Sequence, residues 1–113
     1  MKNEMEKMIN KSKLTKEELK EYFKIAANVN RKLDHSRAYR TMMNELRRKL
    51  LKFIGYEVRS MDEIKNKFTL KEEELIYHLS MLKQCLYILE SKEGWKSTPR
   101  GLGFLENAQM GGF

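Results

Sequence analysis

The chain has 113 residues, which suits one ordinary domain and is too short for two. A hydrophobic content of 41% can form a core and excludes a wholly disordered protein. No apolar run is long enough to cross a membrane, and the charged N-terminus does not resemble a signal peptide. Cys85 has no second cysteine with which to form an internal disulfide. We therefore expect a cytoplasmic protein with no membrane partner.

The charge is unevenly distributed along the chain. Residues 1–52 contain 15 Lys/Arg and 7 Asp/Glu, a net charge of +8, whereas residues 53–113 contain 8 and 9, a net charge of −1. The two halves sum to the +7 of the whole chain. A basic protein is a candidate for binding polyanions such as nucleic acids. The first half is expected to supply that charge.

The N-terminal region predicts one helix after a flexible start at residues 1–14. Thr15 and Glu18 form a capping-box pattern, and apolar residues then recur at three- and four-residue steps. We predict a helix over residues 16–33 and assign residues 15–35 to an N-terminal helix that acts as a dimerisation arm. Its apolar face would be buried in a homodimer or, alternatively, against the same chain's next helix. The residues predicted for dimerisation are Leu19, Tyr22, Phe23, Ala26 and Leu33.

A second helix is predicted over residues 36–54. Asp34 and Ser36 are its candidate N-caps. Its apolar face includes Tyr39 and Met43, which we expect to be buried.

The opposite face of this second helix is rich in arginine. Arginine binds two phosphate oxygens at once through its planar guanidinium group, so phosphate contact is one interpretation of this face. A solvated surface and an acidic protein partner are the other two. The arginines predicted to contact DNA are Arg37, Arg40, Arg47 and Arg48.

Two shorter helices are predicted next. Gly55 stands where a helix end favours glycine. Ser60 with Glu63 and Thr69 with Glu72 form two further capping-box patterns, one before "MDEIKNKF" and one before "LKEEELIYHLSML". Two helices joined by a short turn are what a helix-turn-helix requires.

A hairpin and a final helix complete the predicted elements. "YILES" and "WKST" have the composition of two strands, with Gly94 in the turn between them. "PRGLGFLENA" is predicted to form a helix with Pro99 in its first turn. Residues 109–113 are predicted to be a loose tail.

The order of these elements, with the motifs "DEI", "YHLSML" and "TPRG", resembles the prokaryotic ArsR-type winged-helix transcription regulators over residues 45–106. The resemblance implies a mostly α fold, a winged helix-turn-helix over residues 36–108 with a two-stranded wing and a long N-terminal helical extension. Thr69 and Leu86 depart from the pattern, because glycine is usual at both positions.

Regulators of this type bind operators as homodimers, so the resemblance implies a DNA-binding transcription regulator whose partner is double-stranded DNA. The recognition helix, about residues 71–84, would enter the major groove, and the wing, about residues 87–98, would follow the backbone. The DNA-contacting residues implied are Lys71, Tyr77, Ser80 and Lys83 on the recognition helix, with Lys92 and Lys96 on the wing.

Glu72, Glu73 and Glu74 at the start of the recognition helix leave three interpretations open. They can complement the helix dipole and complete the capping box. One of them can accept a hydrogen bond from cytosine N4. Finally, this surface can meet a protein partner, which leads to the alternative function. In that alternative the winged helix is a protein–protein adaptor in a nucleic-acid-handling assembly and does not bind DNA through its acidic recognition helix.

The sequence does not predict an enzyme, since it has no glycine-rich phosphate loop and no nucleophile with a credible base. A metal site needs three or four ligands, whereas the chain offers His35, His78 and Cys85 without a Cys-x-Cys pair. We therefore expect neither a metal nor a cofactor. His78 is expected to be a structural hydrogen-bonding residue and Cys85 a small apolar one.

Overall fold

A computed structural model describes residues 4–111, and this part of the chain forms seven helices and one hairpin. The helices are α1 (Glu4–Lys11), α2 (Lys16–Ala27), α3 (Arg31–Met42), α4 (Glu45–Ile54), α5 (Met61–Lys67), α6 (Glu72–Gln84) and α7 (Pro99–Gly111). The strands, β1 (Ile88–Ser91) and β2 (Gly94–Ser97), pair antiparallel between α6 and α7. The protein is therefore mostly helical with a two-stranded sheet, as predicted.

The helix predicted over residues 16–33 is wrong in its length. α2 ends at Ala27, and the next helix begins at Arg31 after a short break. The side chain of Asn30 accepts a hydrogen bond from the backbone N–H of Leu33 at 3.2 Å, which satisfies a donor at the start of α3. The apolar spacing continues across the break, and for this reason periodicity alone predicted one helix.

The helix predicted over residues 36–54 is also divided, into α3 and α4. The side chain of Asn44 caps α4 by accepting a hydrogen bond from the backbone N–H of Arg47 at 3.1 Å. The proposed N-caps Asp34 and Ser36 are wrong, because both lie inside α3. Asparagine satisfies the first free N–H groups of a helix as well as aspartate or serine does.

Most of the remaining helix ends follow the sequence signals. Capping boxes are present at the starts of α2 and α5. Gly55 follows α4 with a φ of 46°, which favours glycine. The third predicted box is wrong, because α6 begins after Lys71, which makes no side-chain capping hydrogen bond. The turn after α5 includes Thr69, which therefore lies two residues too early to cap α6.

Both ends of the chain are more helical than predicted. α1 lies within residues 1–14, the segment expected to be flexible, and packs against α7. α7 continues through Gly111, so the predicted loose tail of residues 109–113 is helical as far as the structure describes it. Residues 1–3 and 112–113 lie outside the described part of the chain.

The core forms where α4, α5, α6, the hairpin and the start of α7 meet. α6 buries one face of leucines at the predicted spacing. One face of the hairpin, with Ile88 and Trp95, also points into the core, while the register places Leu89 opposite Lys96 on the outward face. The apolar residues whose exposure is 0% are Leu50, Leu51, Ile54, Ile64, Leu75, Leu79, Leu82 and Leu102.

α2 lies over the outward face of the hairpin of its own chain. The ammonium group of Lys96 is 2.9 Å from a carboxylate oxygen of Glu18, and Tyr22 is buried at the same junction. A bidentate ion pair between Asp34 and Arg100 fixes the start of α3 to α7. The N-terminal helices are thus packed on the hairpin and α7 of the same chain.

Candidate nucleic-acid interface

α6 presents an exposed face opposite its buried leucines. Ile76 is 47% exposed and Tyr77 is 56% exposed, which is high for large apolar side chains. Ser80 is half-buried and Lys83 is exposed on the following turns, and Lys71 is exposed just before the helix. The structure therefore places the four contact residues predicted on α6 at or near the protein surface.

A cleft lined by arginines adjoins this face of α6. Arg37 and Arg40 of α3 and Arg47 of α4 line one side, and Tyr77 of α6 lines the other. The cleft has a volume of about 420 Å³. We call these four residues and the space between them the arginine cleft. Three arginines that are dispersed in the sequence are thereby brought together beside α6.

Arg37 and Arg40 are exposed and available to a ligand. Within residues 4–111, neither guanidinium group makes an ion pair or a side-chain hydrogen bond. Two unneutralised guanidinium groups one helical turn apart form a site that attracts phosphate.

Arg47 differs from its two neighbours because it is only 8% exposed. Its Nε donates a hydrogen bond to Nδ1 of His78 at 3.1 Å, and its guanidinium lies 5.6 Å from the ring centre of Tyr77. Burial and the positive charge of Arg47 lower the pKa of His78, so its imidazole is neutral near pH 7. His78 is thus a hydrogen-bonding residue, as predicted, and Arg47 holds α4 against α6.

Arg48 also has a role inside the protein that the sequence did not predict. Its Nη1 donates a hydrogen bond to the carbonyl oxygen of Met42 at 2.6 Å, and the side chain is half-buried. Because Met42 is the last residue of α3, this bond satisfies a free carbonyl at that helix end. Arg48 therefore joins α4 to α3, and its predicted contact with phosphate is not supported by its position.

Lys96 is the clearest correction among the predicted contact residues. It is 3% exposed, and its ammonium group pairs with Glu18 at 2.9 Å and with Glu93 at 3.3 Å. Burial lowers the pKa of Lys96, but the two carboxylates outweigh burial and raise it overall. A phosphate cannot reach this ammonium group while α2 is in place. Lys92, at the tip of the hairpin, is exposed as predicted.

Glu18 has the opposite pKa shift. Burial raises the pKa of its carboxyl, whereas the backbone N–H of Thr15 and the charge of Lys96 lower it by more. The carboxylate therefore serves both the capping box of α2 and the ion pair with the hairpin.

Arg100 forms the other link between the N-terminal helices and the rest of the chain. It donates to both carboxylate oxygens of Asp34, at 2.7 and 2.8 Å, and to the carbonyl oxygen of Cys85 at 2.7 Å. Burial lowers the pKa of Arg100, and Asp34 more than compensates for this. Asp34 and Arg100 lie 66 positions apart, and no local sequence pattern predicts a link over such a separation.

The residues predicted for dimerisation do not share one exposed face. Tyr22 is buried against its own chain, whereas Leu33 is 52% exposed. Tyr39 and Met43 of α3 were expected to be buried and are instead exposed, at 64% and 61%. Of the other predicted dimerisation residues, Leu19 and Ala26 are half-buried and Phe23 is exposed.

The described part of the chain has neither a cluster of metal ligands nor a membrane-spanning helix. Among those residues, no group of three or more His, Cys, Asp or Glu side chains could hold a metal ion. No helix among them is long and apolar enough to cross a membrane.

Comparison with known proteins does not identify a family for the chain. No protein-family model matches it, and no significant similarity to a curated protein or to a solved structure was found. The functional assignment therefore rests on the side chains described above.

Proposed function

We propose that the protein is a homodimeric DNA-binding transcription regulator of the cytoplasm with an ArsR-like winged helix-turn-helix fold. In this proposal α5 and α6 form the helix-turn-helix and the β1–β2 hairpin is the wing. α6 enters the major groove of double-stranded DNA. The arginine cleft is the observation that carries the proposal.

The position of the cleft suits a helix that lies in the major groove. The groove is about 12 Å wide and is bordered by the two phosphate backbones, so cations beside an inserted helix meet phosphates. Arg37 and Arg40 are such cations on one side of α6. Lys83 on its last turn and Lys92 at the hairpin tip extend the basic surface.

The proposed contacts divide into two kinds. Phosphate contacts position a protein on DNA, whereas contacts with base edges give sequence specificity. Arg37, Arg40 and Lys92 belong to the first kind, and Tyr77 and Ser80 are placed for the second. The remaining proposed phosphate contacts are Lys71 and Lys83.

The acidic first turn of α6 precedes the turns that line the arginine cleft, and the charge of Glu74 reaches His78 beside Arg47. Glu72 is 3.8 Å from Lys65 in an exposed ion pair, and Glu73 and Glu74 are exposed. All three complement the dipole of the helix. The cleft adjoins the later turns of the helix instead, at Tyr77 and beyond. We therefore expect the glutamates to weaken DNA binding without preventing it.

A double substitution tests the role of the cleft. In R37Q/R40Q, two phosphate contacts are removed from each chain, and the affinity for a random-sequence duplex at low salt should fall at least about tenfold. Fluorescence anisotropy with a labelled duplex measures this affinity. The matched control is K49Q/K52Q, which removes the same charge from exposed positions on another face of α4 and should change affinity about twofold or less. Equal losses in both variants, or no duplex binding by the wild type, would refute the proposal.

The second candidate function is the adaptor, and one surface favours it. Leu70 and Ile76 are exposed apolar side chains that flank the three glutamates. An apolar patch beside an acidic turn suits a basic protein partner better than it suits DNA.

Charge reversal of Glu72, Glu73 and Glu74 to lysine separates the two candidate functions. If the protein is a DNA-binding regulator, the wild type already binds duplex DNA and the reversal strengthens that binding. If it is an adaptor, the wild type does not bind, the reversal creates non-specific binding only, and a native protein partner is lost.

A further inference from the structure

A second cavity lies on the other side of α6, beneath α2. It is bounded by α2, the C-terminal end of α6 and β1, and its volume is about 590 Å³. This size lies within the range of small-molecule sites in proteins. Its apolar lining comes from Tyr22, Ile25, Leu86, Ile88 and Leu89.

The rim of this cavity is more acidic than basic, although the whole chain has a net positive charge. Glu21 of α2 and Glu90 of β1 line it and make no ion pair or side-chain hydrogen bond with any residue between 4 and 111. Glu18 also lines it but is neutralised by Lys96. Lys83 is the basic residue of the lining. Two free carboxylates therefore face one ammonium group, in a protein whose net charge is +7.

We propose that this cavity binds a small organic cation with an apolar body. The apolar lining buries the body of such a ligand, and Glu21 and Glu90 hold its positive charge. An organic anion of the same size and shape meets two carboxylates and is rejected. Gln84 lines both this cavity and the space of the arginine cleft, and Ser80 and Lys83 of the lining are also proposed DNA contacts. Neither Glu21 nor Glu90 is among the proposed DNA contacts, so binding of a cation can be tested in the absence of DNA.

The probe for this site is rhodamine 6G, a planar organic cation with an apolar body. Titration of the full chain into the dye, followed by fluorescence anisotropy, should give saturable binding. Fluorescein is the matched control, because it has a similar ring system and a negative charge. Attraction by the net charge of +7 alone would favour fluorescein. A preference for rhodamine 6G would therefore come from the local carboxylates.

Substitutions at the rim test which residues hold the cation. E21Q/E90Q removes the two free carboxylates without changing their size and should weaken rhodamine 6G binding about fivefold. The control E57Q/E73Q removes two exposed carboxylates elsewhere and should change it less than about twofold. Circular dichroism establishes that both variants are folded.

A third variant tests the cavity itself. Ile25 is a half-exposed part of its lining, and I25W should fill the space and weaken binding of the cation without unfolding the protein. The proposal is overturned if rhodamine 6G does not bind saturably, if fluorescein binds equally well, or if the two carboxylate double variants respond alike.

Discussion

Leu86 stands out at the scale of the single residue because its backbone is left-handed. Its φ is 62°, a conformation that costs an L-residue with a side chain about 1 kcal/mol. Its carbonyl oxygen accepts a hydrogen bond from the hydroxyl of Thr98, and its N–H donates to the carbonyl of Lys83 at 2.9 Å. These bonds hold the turn between α6 and β1 in place. The left-handed backbone at this position is one that glycine adopts without strain.

The strain at Leu86 can be measured by comparing two substitutions. L86A and L86G both remove the apolar side chain, but only L86G relieves the left-handed strain. Although glycine is normally less stabilising than alanine, we expect L86G to have the larger free energy of unfolding, by about 1 kcal/mol. Urea unfolding followed by the fluorescence of Trp95 gives both values. An L86A variant as stable as L86G would show that this turn is not strained.

The sequence predicted the role of some side chains better than it predicted the residues that they contact. His78 was expected to form structural hydrogen bonds and does, but its partner Arg47 was assigned to DNA. That pairing depends on how α4 crosses α6, which no local pattern specifies. Lys96 illustrates the same limit, since position in a hairpin predicts exposure unless another element covers that face. The exposed residues Arg37 and Arg40 needed no tertiary information to be recognised as candidates.

At the scale of the element, the docking of α2 on the hairpin depends on Glu18 and Lys96. The side chain of Lys96 is almost fully buried, and that of Glu18 is mostly buried. Removing one partner of a buried ion pair is more destabilising than breaking an exposed pair, because the other charge stays buried without that partner. Removing the charge of Glu18 should therefore weaken the attachment of the whole helix.

The variant E18Q tests this attachment. Glutamine keeps an oxygen that can accept from the N–H of Thr15, so the cap is retained while the charge is lost. We expect the free energy of unfolding to fall by about 1 kcal/mol or more and amide exchange in α2 to become faster. Hydrogen exchange measures the second effect. E17Q, at the exposed neighbouring position, should change neither quantity, and an equal effect there would contradict the role given to Glu18.

The same ion pair gives the attachment of α2 a dependence on pH. The pKa of Glu18 is lower in the folded protein than its ordinary value of 4.5. Its contribution is therefore fully present above pH 4.5 and is lost as the pH falls through the folded pKa. In E18Q this part of the acid dependence should be absent.

Local signals explain which elements were predicted correctly. The hairpin and α7 follow from a turn glycine and a first-turn proline, and two of the three capping boxes are present. The breaks at Asn30 and Asn44 were missed because the apolar spacing continues through them. The position of α2 could not be predicted for a different reason. Its apolar face can be covered either by a second chain or by the hairpin of the same chain, and the sequence does not distinguish the two.

At the scale of the whole molecule, the fold uses part of the positive charge in contacts within the chain and leaves the rest at the surface. Arg47, Arg48, Lys96 and Arg100 are all used in contacts within the chain. The cations that stay exposed and are proposed to meet phosphate are Arg37, Arg40, Lys71, Lys83 and Lys92. The effective basic surface is therefore smaller than the net charge suggests.

The salt dependence of duplex binding should reflect this reduced surface. If four of the exposed cations each neutralise one phosphate, the slope of log affinity against log salt is about −4 per chain. A series of anisotropy titrations at increasing salt measures it. A slope close to zero would mean that phosphate contacts do not drive binding. A slope twice as steep per chain would mean that cations outside this set also contact phosphate.

The position of Cys85 provides a probe of local unfolding. Its side chain is 5% exposed, and its Sγ lies 3.3 Å from the hydroxyl of Thr41 on α3. A thiol reagent therefore reacts with it slowly until α3 or another neighbouring element moves away from the end of α6. Because the chain has one cysteine, every labelled molecule records that single event. The labelling rate, divided by that of a free thiol, gives the fraction of molecules that are open at this junction without any substitution.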